Sequence, residues 1–206
     1  MDKLNLYLED GGKIWFTSDP HFGHANIIKF CERPFDSIKD MNDALIRNWN
    51  ECVTDDDIVF ILGDFCWNHT PGNLMKILKQ LNGKHIYIIP GNHDKPEAFG
   101  DIDGPWEELS RFSVHDDLVH VYVRCKEGDK NPLELILSHY PLMTWSGRDR
   151  GCINLHGHVH SRPNDRGYDA NLRYWDNQLD VGVDARDYRP VSLEEVLNIL
   201  ENKKGS

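Results

Sequence analysis

His85-Ile86-Tyr87-Ile88-Ile89-Pro90 runs directly into Gly91-Asn92-His93-Asp94. The first part reads as a short buried strand, bounded by proline and glycine. The second part is chemically specific: an Asn side-chain oxygen is a neutral metal ligand, and an adjacent His–Asp pair has the makings of an acid/base unit. The juxtaposition recurs along the chain. Lys13 to Ser18 runs into Asp19-Pro20-His21, and Ile58 to Leu62 into Gly63-Asp64. Leu133 to Ser138 runs into His139, and Cys152 to Leu155 into His156-Gly157-His158-Val159-His160. In open α/β sheets, ligands sit beyond the carboxyl ends of the strands. If these strands share one orientation, all their polar ends meet at a single rim.

Between and after these strands the pattern turns helical. Met41, Ala44, Leu45 and Trp49 share one face between Asp40 and Asn50. A second helix is expected to open at Thr70-Pro71, to turn Leu74, Ile77, Leu78 and Leu81 inward, and to stop at Asn82-Gly83. Ser192 with Glu195 forms a capping box for a last helix carrying Leu193, Val196, Leu197 and Leu200. Leu118 to Val123 and Leu133 to Leu137 flank Glu127-Gly128-Asp129 and predict a hairpin, and Leu179 to Val183 is a further strand candidate. Early βα units with hairpins after them predict an α/β fold, a four-layer α/β/β/α sandwich.

The 206 residues suit one domain, taken as spanning 1–206 with Gly205-Ser206 as a tail of no functional weight. Hydrophobic residues at 39% and charged residues at 28% are ordinary for a soluble globular protein. No apolar run is long enough for a membrane span, and no secretory signal is visible, so a cytoplasmic location is expected. The five cysteines are scattered without a C-x-x-C pair, which argues against a disulfide framework or a zinc ribbon. A net charge of −11 gives no broad attraction for nucleic acid, so an enzyme acting on phosphate esters would need positive charge supplied locally. Bound cations are one source.

Asp19 and His21, two apart, would point the same way on a continuing strand and could share one first-row cation. Asp64 comes after a glycine that lets the backbone turn, and its two oxygens could bridge two cations. His158 and His160 repeat the two-residue spacing, while His156 reads as packed or as support behind the ligands.

The ordered series D-x-H, G-D, G-N-H-D, H, G-H-x-H, from Asp19 to His160, resembles the calcineurin-like metallophosphoesterase superfamily. Phe16 to His24 and Leu155 to His160 look like a small bacterial and phage branch of it. The resemblance implies two divalent cations (Mn, Fe, Zn, Co or Ni, with Mn favoured). Asp19, His21, Asp64 and His160 would bind the first, and Asp64, Asn92, His139 and His158 the second. His93 would contact the phosphate and assist the leaving oxygen, with Asp94 orienting it. Paired cations make a water nucleophile available near neutral pH, and a protonated histidine can donate to the departing alkoxide.

Where many members of the superfamily continue the Gly-Asp with Asp-Arg, this chain has Phe65-Cys66-Trp67-Asn68. Arg33, Arg148 and Arg150 are the replacement candidates for clamping phosphate. His24 reads either as a substrate contact or as a cap on the helix that starts beside it. Trp67 and Trp145 are expected chiefly in core packing, although they could wall an aromatic pocket. The implied function is hydrolysis of a phosphoester, foremost a phosphodiester of a small nucleotide-like substrate. A phosphomonoesterase or a nuclease acting on DNA or RNA ends is the alternative within the enzyme class. A protein-binding scaffold on the same fold is the alternative outside it. Extended nucleic acid and membrane are not the expected partners, and the oligomeric state is open.

Overall fold

The structure, a computed structural model, describes residues 1–7, 12–67, 70–95, 111–124, 128–161 and 175–204. In chain order these form β1 (Asp2–Tyr7), β2 (Ile14–Thr17), α1 (Ala25–Phe30), α2 (Ile38–Cys52), β3 (Ile58–Ile61), α3 (Pro71–Leu78), β4 (His85–Ile88) and β5 (Phe112–Val114). The remaining elements are β6 (Leu118–Arg124), β7 (Leu133–Ser138), β8 (Ile153–His156), β9 (Gln178–Asp180), β10 (Val191–Ser192) and α4 (Leu193–Lys204). Two five-stranded sheets result, ordered β10-β2-β3-β4-β5 and β1-β6-β7-β8-β9. The layered α/β sandwich expected from the sequence is what forms. No helix among the described residues is long and apolar enough to cross a membrane.

The period-2 alternation of each central strand divides its side chains between two cores. Ile14, Phe16 and Phe60 face the second sheet and pack with Val119, Val121, Leu135, Leu137, Ile153 and Leu155. Trp15, Val59, Ile61, Ile86 and Ile88 face the other way, onto Met41, Leu45 and Trp49 of α2 and Leu74, Ile77 and Leu78 of α3. Strands apolar on both faces belong in the middle of such a stack. On the outer face of the second sheet, Ile136, Trp145 and Cys152 pack together, so Trp145 has the packing role expected of it.

Direction matters more than order for the site. β2, β3 and β4 run parallel, as do β7 and β8, while β6 and β7 form the anticipated antiparallel hairpin. Each expected strand therefore ends where its ligand candidates begin. The capping box forms in both directions: Ser192 N–H donates to Glu195 Oε2 at 2.9 Å, and Glu195 N–H donates to Ser192 Oγ at 3.2 Å. α3 stops at Leu78, short of the expected Asn82-Gly83. The chain beyond tightens into i→i+3 bonds, and Arg111 donates to the carbonyls of Leu78, Leu81 and Gly83, offering these oxygens a better partner than a further helical turn. The strand candidate at Leu179 ends at Asp180, and Val183–Ala185 forms a single 3-10 turn instead.

Asp57 fastens the start of β2 to the start of β3. Its buried carboxylate accepts from Lys13 N–H at 2.6 Å, Thr54 N–H at 2.8 Å and Trp15 Nε1 at 3.1 Å. Removing it strands three donors, and an unsatisfied buried donor costs about 1–3 kcal/mol. We expect Asp57→Ala to lose about 3 kcal/mol in urea unfolding; a loss below about 0.5 kcal/mol would show that this tie is dispensable.

Candidate metal centre

The four floor residues come from strand ends. Asp19 lies just past β2 and His21 two residues beyond it, Asp64 lies past β3 and His139 past β7; all are buried. Asn92, His93, His158 and His160 rise around them with their side chains open to solvent in varying degree. Backbone bonds sew the ends together: Asp19 N–H to Gly63 O, His21 N–H to Asp64 O and Gly157 N–H to His139 O, each at 3.0 Å. The expected clusters do meet at one rim.

They do not meet as continuing strands. Asp19 (φ 57°), His21 (φ 51°), Asp64 (φ 53°), His158 (φ 70°) and His160 (φ 48°) all hold left-handed backbone. For residues other than glycine this is sparsely populated and costs of order 1 kcal/mol or more each. The two-residue spacing of D-x-H and H-x-H therefore works through left-handed turns rather than through the strand pleat read from the sequence. Glycine permits the close approach. A Cβ on Gly157 would overlap Ser18 Oγ and Asp19 Oδ2, and one on Gly91 would overlap Asp64 Oδ1.

Each carboxylate is held by one oxygen and offers the other. Asp19 Oδ2 accepts from His158 N–H at 2.9 Å, leaving the buried Oδ1 without a hydrogen-bond partner. Asp64 Oδ1 accepts from His93 N–H at 2.9 Å, while Oδ2 lies 3.4 Å from His21 Nε2 and 3.6 Å from His139 Nε2. His139 Nδ1 faces the carbonyl of Leu62 at 2.8 Å and must donate to it, so in the neutral imidazole Nε2 carries a lone pair. That lone pair points at Asn92 Oδ1 (3.0 Å) and at His158 Nδ1 (3.2 Å). His21 Nε2 is buried and without a partner. Lone pairs that converge on one pocket need a proton or a cation among them. Asp19, His21 and His160 bring ligand atoms within 4.8 Å of one another, as do Asp19, Asp64 and His139.

The protonation behaviour agrees. Burial, then the charges of His160 and Arg33, hold His21 well below the usual imidazole range, so it is the neutral base a metal requires. His158 is lowered too, by burial first and then by His139. For His160, burial opposes protonation but is outweighed by hydrogen bonds to Asp184 and Cys31 and by the charges of Asp19 and Asp184, and its pKa is pushed up to about 11. The carboxylates thus draw positive charge to this corner, and in the metal-free chain a proton supplies it.

Asp184 escaped the sequence reading. Its carboxylate accepts from His160 Nδ1 at 2.7 Å, which turns Nε2 towards Asp19, and pairs in a fork with Arg33 at 2.9 and 2.8 Å. Carboxylates behind metal-binding histidines orient them in this way. A signal existed: Asp184 comes after an apolar strand candidate, just as Asp19 and Asp64 do. Arg33, read as a phosphate clamp, is corrected by the same contacts. Its guanidinium is buried and committed to Asp184 and to the carbonyls of Asp19 (2.8 Å) and Pro20 (3.0 Å), so it fixes the floor from behind. Arg148, the other arginine expected at the substrate, pairs with Asp149 and lies 4.0 Å over Trp175.

Asp94 was expected to orient His93. The structure gives its oxygens to the backbone N–H groups of Asp64 (2.7 Å), Gly91 (2.9 Å) and Phe65 (3.0 Å), which locks the two loops carrying Asp64 and His93 together. His24 sits at the start of α1 but makes no capping bond; its buried ring stacks beneath Trp67 at 3.8 Å. Trp67 is itself exposed, against the core role expected of it. His156 is fully buried with Nδ1 on Gly157 O, the packed alternative.

Comparison with known proteins adds a lineage to this geometry. The family model described as calcineurin-like phosphoesterase matches residues 12–190. An uncharacterized protein of Methanocaldococcus jannaschii is 34% identical over 192 residues, covering 93% of each chain. The Gene 66 protein of Mycobacterium phage D29 is 33% identical over 208 residues, covering 91% of this chain and 97% of its own. The crystal structure of a protein of unknown function from Aquifex aeolicus has the same fold, with a TM-score of 0.64 at 24% identity, over 91% of this chain and 99% of that one.

Burial, chiefly, pushes Asp19 up to about 6 from its usual 3.8. With the folded value raised, the ionised carboxylate opposes folding, a penalty absent below pH 3.8 and complete above about 6. A bound cation relieves it and stabilises the fold by mass action. We expect the rise in Tm on adding saturating Mn²⁺ to chelator-treated protein to be larger at pH 7.5 than at pH 5. An equal rise at both values, or none, would contradict this electrostatic account.

Proposed function

The chain belongs to the calcineurin-like phosphoesterase family and is a phosphoesterase; from that premise we propose that it is a dinuclear metal-dependent phosphodiesterase acting on small nucleotide-like esters. The observation that supports this most is the convergence of His21 Nε2 and His139 Nε2 on Asp64 Oδ2, with the orphaned Asp19 Oδ1 beside them. Asp19, His21, Asp64 and His160 would hold one cation, and Asp64, Asn92, His139 and His158 the other, with manganese favoured. The donor set of imidazoles, carboxylates and one amide oxygen suits first-row divalent ions in an open site. Bound there, the pair would neutralise phosphate oxygens and lower the pKa of a water towards neutrality.

The chain's own residues do the rest. Asp64 sits between the two donor groups, its orientation fixed by the His93 amide. His93 stands at the open rim, its ring 5.6 Å from that of His21, where an imidazolium can give its proton to the departing oxygen. Asp94 keeps that loop in register with Asp64. Arg33 is consumed by Asp184 and offers the rim no free guanidinium, which favours a singly charged diester over a doubly charged monoester. The net charge of −11 favours a small ester over an extended polynucleotide.

With Mn²⁺-loaded protein and bis(p-nitrophenyl) phosphate or a cyclic nucleotide, we expect Asp64→Asn or His93→Ala to lower kcat/KM by about 100-fold or more, the general-acid contribution alone being about 10²–10⁴. Circular dichroism should report an intact fold for both variants. Turnover at the wild-type rate by either would remove the mechanism proposed for it.

A further inference from the structure

The segment that departs from the superfamily pattern, Phe65-Cys66-Trp67, is left without a role by the metal centre. Trp67 is 46% exposed, a large apolar surface to leave in water. It is nevertheless held firmly. Its N–H donates to Phe22 O at 3.0 Å, and Phe22 and Cys66 form a parallel bridge, so its backbone is tied to the loop that carries His21. One face of the indole lies flat on His24, with centroids 3.8 Å apart and planes at 7°. His24 is only 6% exposed, and its Nδ1 is buried without a partner. Phe30, 72% exposed, stands edge-on to His24 at 6.5 Å. The indole centroid is 5.3 Å from the ring of His93, and the His24 ring is 5.3 Å from that of His21.

We propose that Trp67, backed by His24 and flanked by Phe30, is a stacking subsite for the flat heteroaromatic group of the ester, a nucleobase in a nucleotide substrate. The inference rests on the phosphoesterase reading and deepens it by naming what recognises the organic arm. Three features carry it. The indole is immobilised before any ligand arrives, so little conformational freedom is lost on stacking. It adjoins His93, the group assigned to the leaving oxygen, so a ring lying on it belongs to an arm attached to the reacting phosphorus. Finally, stacking of this kind tolerates any planar ring, so the subsite needs no polar edge to choose among bases. Core packing does not explain an aromatic side chain placed at the surface beside the chemistry.

The test uses the full chain loaded with Mn²⁺ and compares the Kd of adenosine 5′-monophosphate with that of ribose 5-phosphate by titration calorimetry. The two probes share the phosphate and sugar and differ in the base. We expect the wild type to prefer the nucleotide by about tenfold or more, the range base stacking gives. Trp67→Ala should bring the two constants within about twofold, and Trp67→Phe should restore most of the preference. The ratio is the readout, so a partial loss of fold affects both probes alike. No preference in the wild type, or the same preference in Trp67→Ala, would overturn the subsite; in the latter case the indole merely shields His24. If the ratio behaves as expected while no phosphodiester is hydrolysed, the subsite stands and the proposed reaction falls. If diesters are hydrolysed while the ratio stays flat, the reaction stands and the subsite falls.

Discussion

Two carboxylates, Asp19 and Asp64, are buried side by side against the neutral imidazole of His21, and the rest of the structure depends on that electrostatic constraint. Ionised groups removed from water need compensating charge, and an isolated buried carboxylate is among the costlier arrangements in a protein. Each carboxylate spends one oxygen on a backbone N–H and turns the other inward. His139 spends Nδ1 on a carbonyl and turns Nε2 inward. His160 spends Nδ1 on Asp184. Side chain by side chain, one atom anchors and the other is offered, and the offered atoms share a small space that asks for positive charge.

Holding such a cluster together requires both sheets. β2 and β3 bring Asp19 and Asp64, and β7 and β8 bring His139 and the paired histidines. The bond from His139 to Leu62 O and the bridge between Ser18 and Gly182 cross from one sheet to the other at the rim. The left-handed backbone at five of the candidate ligand positions is strain the hydrophobic core must hold in place. The fork between Arg33 and Asp184 braces the cluster from below, and breaking such a buried pair is costly because one charge is left alone. Fold and site are therefore one problem: the parallel strands exist to end together.

Much of this was legible in the sequence because it is locally encoded. A strand of four apolar residues with a metal-type side chain at its end declares itself in a short window, and so does the Ser192–Glu195 box. The order of the motifs carried the rest. What was illegible depends on partners distant in the chain. Arg33 looks like any surface arginine until Asp184, 151 residues away, is folded against it. Asp94 reads as the partner of the neighbouring His93 because adjacency is all a sequence shows; its bonds to the distant Asp64 and Phe65 are not visible there. The exposure of Trp67 is likewise decided by what packs over it, which no local pattern states. Even the correct placing of Asp19 beside His21 came with the wrong backbone, since a pleated strand and a left-handed turn give the same two-residue spacing.

The proposed paired-cation centre is tested most directly by anomalous diffraction at the manganese edge from crystals soaked in Mn²⁺. The expected result is two peaks per chain flanking the Asp64 carboxylate, one beside His21 and His160, the other beside Asn92, His139 and His158. A single peak, or peaks only elsewhere, such as at His120, Glu134 and Cys152 on the far face of the second sheet, would contradict it.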